Sequence, residues 1–246
     1  MDPGWLPMSA LADNATGEPS FPPLLSGQKA PPGASPFDKA VAEALLGCDP
    51  GLLVWAPRAD ALSAALVLAP EEPLARAISV AFAPAIGFVD ALGALGPPEV
   101  AVHHVWPGGF KVNGADCGGL RAAASTTEAD AEPDWLVIGI DIPFLPKGDG
   151  GEDPTRTCLF HEGCAELTPL ELLESWSRHT LVWINRWLDD GIAPLHAAWR
   201  ERAWEMGEDL PDGSGTFMGL DEHGGMLVKT GGTTQLRPLT ALLERP

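Results

Sequence analysis

Between Glu71 and Leu95 the sequence reads as one helix that is apolar on nearly every face. Such a helix has to be covered all round, so it belongs in the interior of a fold or in a membrane. Its most apolar stretch, Ile78–Val89, is much shorter than the roughly 20 residues a bilayer span needs, and Arg76 and Asp90 flank it closely. The segment therefore predicts a buried core helix, kinked at Pro84. Burying it requires a large core, and a chain of 246 residues that is 45% hydrophobic can supply one. The 28 glycines and 25 prolines predict many loops without low complexity.

Charge narrows the partners. Lys and Arg total 15 against 34 Asp and Glu, a formal net charge of -19. The cations are scattered and no basic patch is visible, so nucleic acid and anionic membrane surfaces are not expected partners. No basic residue precedes Lys29 and no signal-like apolar run follows one near the start, so a cytoplasmic chain is expected. Cys48, Cys117, Cys158 and Cys164 are then expected to be reduced.

Residues 1–33, rich in Pro, Gly and small side chains, predict an extended arm that lies on the domain or is partly loose. A first helix opens at Ser35-Pro36-Phe37-Asp38, with Ser35 as cap, Pro36 in the first turn and Asp38 completing a capping box; it runs to about Leu46. Short strands are expected at Gly51–Ala56, Ser63–Ala69, Val100–Val105, Phe110–Asn113 and Cys117–Ala124, with a hairpin turn at Asn113-Gly114. The continuous apolar run in Asp134–Ile142 predicts a central strand, followed by a polar loop over Pro143–Arg156. Two amphipathic helices follow, Thr168–Leu188 and Ala193–Met206, broken at Asp190-Gly191. Beyond Gly207, three alternating stretches separated by turns predict a small β unit. The boundaries are thus 1–33 for the arm, 34–208 for the main domain and 209–246 for the β unit.

Three stretches in this order resemble the biotin–protein ligase family. His104–Leu120 (HVWPGGFKVNGADCGGL) is similar to the pattern K-W-P-N-D-x-x-x-x-x-x-K-x-x-G-I-L, and Trp135–Pro143 (WLVIGIDIP) to V-x-I-G-x-G-I-N. The tail Gly215–Val228 (GTFMGLDEHGGMLV) resembles the C-terminal barrel pattern G-x-x-x-G-I-D-x-x-G-x-L-x-V, and Ser35 and Ala40 match the S-T-N-x-x-A helix start. The resemblance implies an α+β fold, a mixed sheet covered by helices and followed by a small β-barrel. It also implies a two-step reaction: biotin or a related acid is adenylated with ATP and Mg, then passed to a lysine of a biotinyl or lipoyl carrier domain. Family members often dimerise through the sheet edge, though nothing in this sequence demands a homodimer. The pocket implied here comprises Ser35, Trp55 and Arg58 from the early elements, and Trp106, Pro107, Gly108, Gly109 and Lys111 from the W-P turn. Asp116, Gly118 and Gly119 come from the returning strand, and Gly139 and Asp141 from the central one.

The departures fall on working residues. The family's Asn-Asp is Gly108-Gly109, its lysine falls on Asp116 and its late Asn on Pro143. Its basic glycine-rich loop is reduced to Pro57–Leu62, where Arg58 is the lone cation. Charge develops on phosphate and carboxylate during adenylation, and losing one donor aimed at it costs about 10²–10³ in rate. Asp116 would face phosphates with like charge. Two features could compensate: backbone N–H groups at Gly108-Gly109 and Lys111 as a substitute anion contact. The reading is a divergent ligase or a non-catalytic descendant that binds an acyl or adenylate ligand or a carrier protein.

Other motifs have plainer readings. Cys158–Cys164 spells C-x-x-H-x-x-C, but a structural zinc needs four ligands, so no metal is expected. A cysteine acyltransferase, with Cys158 or Cys164 as nucleophile and His161 as base, resembles the octanoyltransferase branch of the superfamily. Trp106 could stack on a flat ligand. Trp176, Trp183, Trp187, Trp199 and Trp204 read as core packing, and His103-His104 as core or surface histidines.

Overall fold

The computed structural model describes residues 17–146 and 153–244. The first sixteen residues of the expected arm, and 147–152 of the expected polar loop, lie outside the described residues. A seven-stranded sheet runs in the order β1-β2-β3-β7-β6-β5-β4. Its strands are β1 (Ser26–Lys29), β2 (Leu52–Trp55), β3 (Ala61–Leu68), β4 (Val102–Val105), β5 (Gly109–Val112), β6 (Ala115–Ala124) and β7 (Leu136–Pro143). Only β1 and β2 are parallel; every other neighbouring pair is antiparallel. Part of the expected arm is therefore an edge strand of the sheet.

The long β3 and β7 sit at the centre because both are apolar on both faces, and the sheet is covered on both. On the first face Leu62, Leu66, Ile138, Ile140 and Leu120 meet the long helices. These are α2 (Leu74–Ala77), continued by a 3₁₀ turn at Ile78–Ala81 into α3 (Phe82–Leu95), and α4 (Pro169–Asp190), followed by α5 (Ala193–Glu201). The irregular turn lies just before Pro84, so the helix tightens upstream of the proline rather than at it. By length and composition Leu74–Leu95 could cross a membrane, yet 78% of its most apolar window is buried here. α4 starts in a capping box, Glu171 N–H donating to Thr168 Oγ1 and Thr168 N–H to Glu171 Oε2, and stops at Gly191.

Three tryptophans of α4 donate to the apolar rod: Trp176 to the Pro84 carbonyl (3.0 Å), Trp183 to Asp90 (2.7 Å) and Trp187 to Ser79 (2.9 Å). Gly87 lets the two helices touch, since a Cβ there would lie 2.8 Å from the Thr180 backbone nitrogen.

On the second face one helix suffices. α1 (Pro36–Leu45) lays Phe37, Ala40 and Ala44 on Val54, Ala65, Val67 and Val137. Ser35 caps it, accepting from the Asp38 N–H at 3.3 Å, while the Asp38 carboxylate turns to Arg121, 3.8 Å away, instead of closing a capping box. The C-terminal β unit is a three-stranded antiparallel sheet of β8 (Thr216–Leu220), β9 (Met226–Thr230) and β10 (Thr233–Arg237), ordered β10-β9-β8.

Candidate functional site

Strand alternation sends Gly119, Arg121, Gly139, Asp141 and Ser63 to the second face, because Leu120, Ala122, Ile138, Ile140 and Leu62 all go to the first. In the ladder Gly119 stands opposite Asp141, Arg121 opposite Gly139, and Ser63 opposite Asp141. The start of α1 closes over this strip, and the Phe37 ring lies directly on Gly139, where a Cβ would meet Phe37 Cδ2 at 2.6 Å. Gly118 bends β6 here with φ 78°, and a Cβ would lie 2.1 Å from the Asp141 carbonyl oxygen, so no other residue fits.

Arg58 and Lys111, the cations expected at the site, and Arg121 are engaged by carboxylates of the same chain. Arg58 forms two parallel bonds to Asp60 (Nε–Oδ1 2.9 Å, Nη2–Oδ2 2.7 Å). Lys111 reaches Asp116 at 2.7 Å and lies over the Trp204 ring at 5.4 Å. Arg121 lies 4.3 Å over the Phe37 ring and bonds Glu244 through Nε and Nη2 at 2.5 and 2.8 Å. The Asp60 bond holds Arg58 firmly protonated, and the Arg121 bond holds the Glu244 carboxyl below its ordinary range. Asp141 adds a further charge interaction with both arginines.

Several expected site residues are placed otherwise. Lys111 is not a free anion contact, since Asp116 neutralises it. Asp116 in turn is answered by Lys111 rather than left to repel a phosphate. Gly108-Gly109 is no open cradle: Gly108 is buried beneath Leu242, its carbonyl accepts from the Leu120 N–H (2.7 Å), and Gly109 is a ladder partner of Gly119. Trp106, joined to Pro107 by a cis peptide bond, does not offer its ring to a ligand; its Nε1 donates to the Gly224 carbonyl (3.0 Å) and ties the C-terminal sheet to the main domain. Trp55 is on the first face, in a cavity of about 50 Å³ shared with Arg58 and Leu62, which has room for a few waters. The expected pocket is thus split between two faces. A larger cavity of about 500 Å³, between Glu71, Arg76, Trp187 and His223, involves none of the expected pocket residues.

The other motifs resolve into packing. Cys158 and Cys164 are 3% and 1% exposed, and burial raises the Cys164 pKa, which makes it a poor nucleophile. Cys117 is pushed up to about 12 by burial, with the nearby Cys158 adding to the shift. His104 is 1% exposed, stacked on Trp199 at 5.4 Å, and burial lowers it to about 3. His103 meets the edge of Trp204.

Phe37, Arg121 and Glu244 are the residues of this face that sequence reasoning missed. Arg121 was within reach, being two residues beyond Gly119 on one strand and hence on the same side. Glu244 was not, because its partner is 123 positions away.

A sequence model of the biotin/lipoate A/B protein ligase family matches residues 21–201. The chain belongs to this family. Residues 206–245 match a domain of unknown function (DUF4444). The biotin–[acetyl-CoA-carboxylase] ligase of Paracoccus denitrificans is 25% identical over 193 residues, spanning 75% of this chain and 80% of that protein. A biotin protein ligase-like protein of unknown function from Silicibacter sp. TM1040 is 52% identical, with a TM-score of 0.88 over 93% of this chain and all of that one (100%). A biotin protein ligase mutant from Aquifex aeolicus, solved with biotin, shares the fold at a TM-score of 0.70 and 16% identity, over 87% of this chain and 96% of that one. This member of the biotin/lipoate ligase family therefore keeps the family's sheet and helices while its own side chains fill the second face.

Proposed function

We propose that this family member binds an acyl or adenylate ligand, or a carrier protein, on the second face without turning it over. One observation carries the reading: Arg58, Lys111 and Arg121 each hold a carboxylate of their own chain, and Asp116 stands where the family pattern has lysine. Adenylation needs cations or N–H donors aimed at charge as it develops, and each one missing costs about 10²–10³ in rate. These residues do not fit the phosphates of ATP. Among the described residues no cluster of three His, Cys, Asp or Glu could hold a metal. A cytoplasmic setting belongs to the same reading, supported by four free cysteines.

Pyrophosphate exchange with biotin, lipoate and octanoate tests the proposal. Exchange is expected to stay at the no-acid background for all three. Acid-dependent exchange above background would establish a working divergent ligase instead.

A further inference from the structure

Arg121 is built for one kind of partner. Its guanidinium sits over the Phe37 ring, 4.3 Å from its centroid, and offers Nε and Nη2 side by side, the fork that matches a carboxylate. Glu244 fills that fork, and it arrives from a distant segment. β6 pairs with β5 only as far as Gly109 opposite Gly119; past that point its outer edge is taken by the C-terminal tail. Leu243 bridges Ala122 in parallel, and the Glu244 N–H donates to the Ala122 carbonyl at 2.8 Å. Leu239 and Leu242 are buried and pin the tail, whereas Leu243 is half-buried and Glu244 exposed. Leu243 packs against the core, so Glu244 can come away while the segment before it stays seated.

We propose that Arg121 selects the ligand of this face by holding a monocarboxylate, and that the Glu244 carboxylate occupies the same place and competes with it. The inference rests on the ligand-binding reading above and adds its specificity and its regulation.

Charge decides between anions. Among the described residues, the acids that act on the Arg121 guanidinium are Glu244, Asp38 and Asp141. Exchanging the Glu244 carboxylate for that of a ligand leaves this balance unchanged, and the fork already accepts one carboxylate beside Asp38 and Asp141. A phosphate dianion would add charge against them. The exchange is also easy, because the two side chains are 40% and 44% exposed, and pairs so exposed contribute little stability. Arg121 stays seated on Phe37 throughout, so the fork is preorganised for the next carboxylate.

The test is calorimetric titration of the full chain with octanoate, and separately with inorganic phosphate, for the wild type, Glu244→Gln, Arg121→Gln and Arg121→Lys. Removing the Glu244 charge is expected to tighten octanoate about fivefold, the scale of an exposed ion pair. Arg121→Gln should weaken it at least tenfold, and Arg121→Lys should fall between because a point charge replaces the fork. Saturating octanoate should speed exchange of the Glu244 amide. Should Arg121→Gln fail to fold, Arg121→Lys and Glu244→Gln still decide the matter. Equal octanoate affinity in all variants would overturn the inference and leave a ligand-binding face standing. Absence of octanoate binding in both the wild type and Glu244→Gln would overturn the inference together with the reading beneath it. Phosphate that binds in an Arg121-dependent way and displaces octanoate would overturn the choice of a carboxylate.

Discussion

The two faces of the sheet are covered by different amounts of protein, and they have different chemistry. The first is sealed by α2–α3, α4 and α5, with Trp176, Phe82, Phe88 and Phe110 fully buried and even its polar contacts turned inward. The second carries one ten-residue helix over a core of alanines, valines and Phe37, and beyond the start of α1 its residues are charged. The first face has the apolar area that stabilises the fold; the second has the groups that could meet a ligand, and these tolerate change because little folding energy depends on them. Asp116, which stands where the family pattern has lysine, is paired with Lys111 on that second face, which is where a protein can alter chemistry without unfolding.

Substitutions should separate the faces sharply. Trp176→Ala removes a fully buried indole and its bond to the Pro84 carbonyl, and it is expected to cost about 4 kcal/mol, within the usual range for a buried Trp→Ala change. Phe37→Ala, at 6% exposure on the face covered by a single helix, should cost about 3 kcal/mol, the lower end of that range, because solvent and the Arg121 stem can enter the space. Urea unfolding of both variants measures the difference; equal losses would show that the second face is packed as tightly as the first.

A pH titration probes the first face without a large truncation. His104 is neutral in the fold, with its pKa lowered by burial from 6.5 to about 3. The unfolded chain binds this proton below its own pKa, so the stability is whole above pH 6.5 and is lost as pH falls from 6.5 toward 3. Between pH 7 and pH 5 the loss from this one group is about 2 kcal/mol, and His103 and His196, also shifted down by burial, act in the same direction. Denaturant midpoints for the wild type and His104→Leu check it: the variant's profile should be visibly flatter over that window.

Most of the first face could be read from the sequence, since its signals are local. The all-round apolar helix, the continuous run of β7 and the Thr168 cap each occupy a few adjacent residues. The Lys111–Asp116 pair was readable too: a two-residue turn at Asn113-Gly114, with both φ angles positive, places 112 opposite 115 and therefore 111 opposite 116. What could not be read depends on contacts between distant residues. β1 is a polar edge strand, SGQK, with no buried side to impose a period. Trp106 finds its partner at Gly224 and Arg121 at Glu244, and neither pairing leaves a trace in local spacing. The W-P and G-G motifs marked the right strands. They could not say that the chain's own tail and acids would already be there.

The smallest expected effect is on the second face, and it bears most directly on the comparison. Arg121→Gln removes a bidentate ion pair, a contact with Asp38 and a cation stacked on Phe37, which on the first face would be a severe change. Here the guanidinium is 40% exposed, water can replace its partners, and the expected cost is under about 1 kcal/mol. Glu244→Gln should cost no more, and the double variant should cost less than the sum of the two, because each single change already breaks the same pair. Thermal melts of the four proteins close the cycle. A coupling of several kcal/mol would mean that the tail is a structural clamp rather than a displaceable occupant, and the division of labour between the two faces would fail at that point.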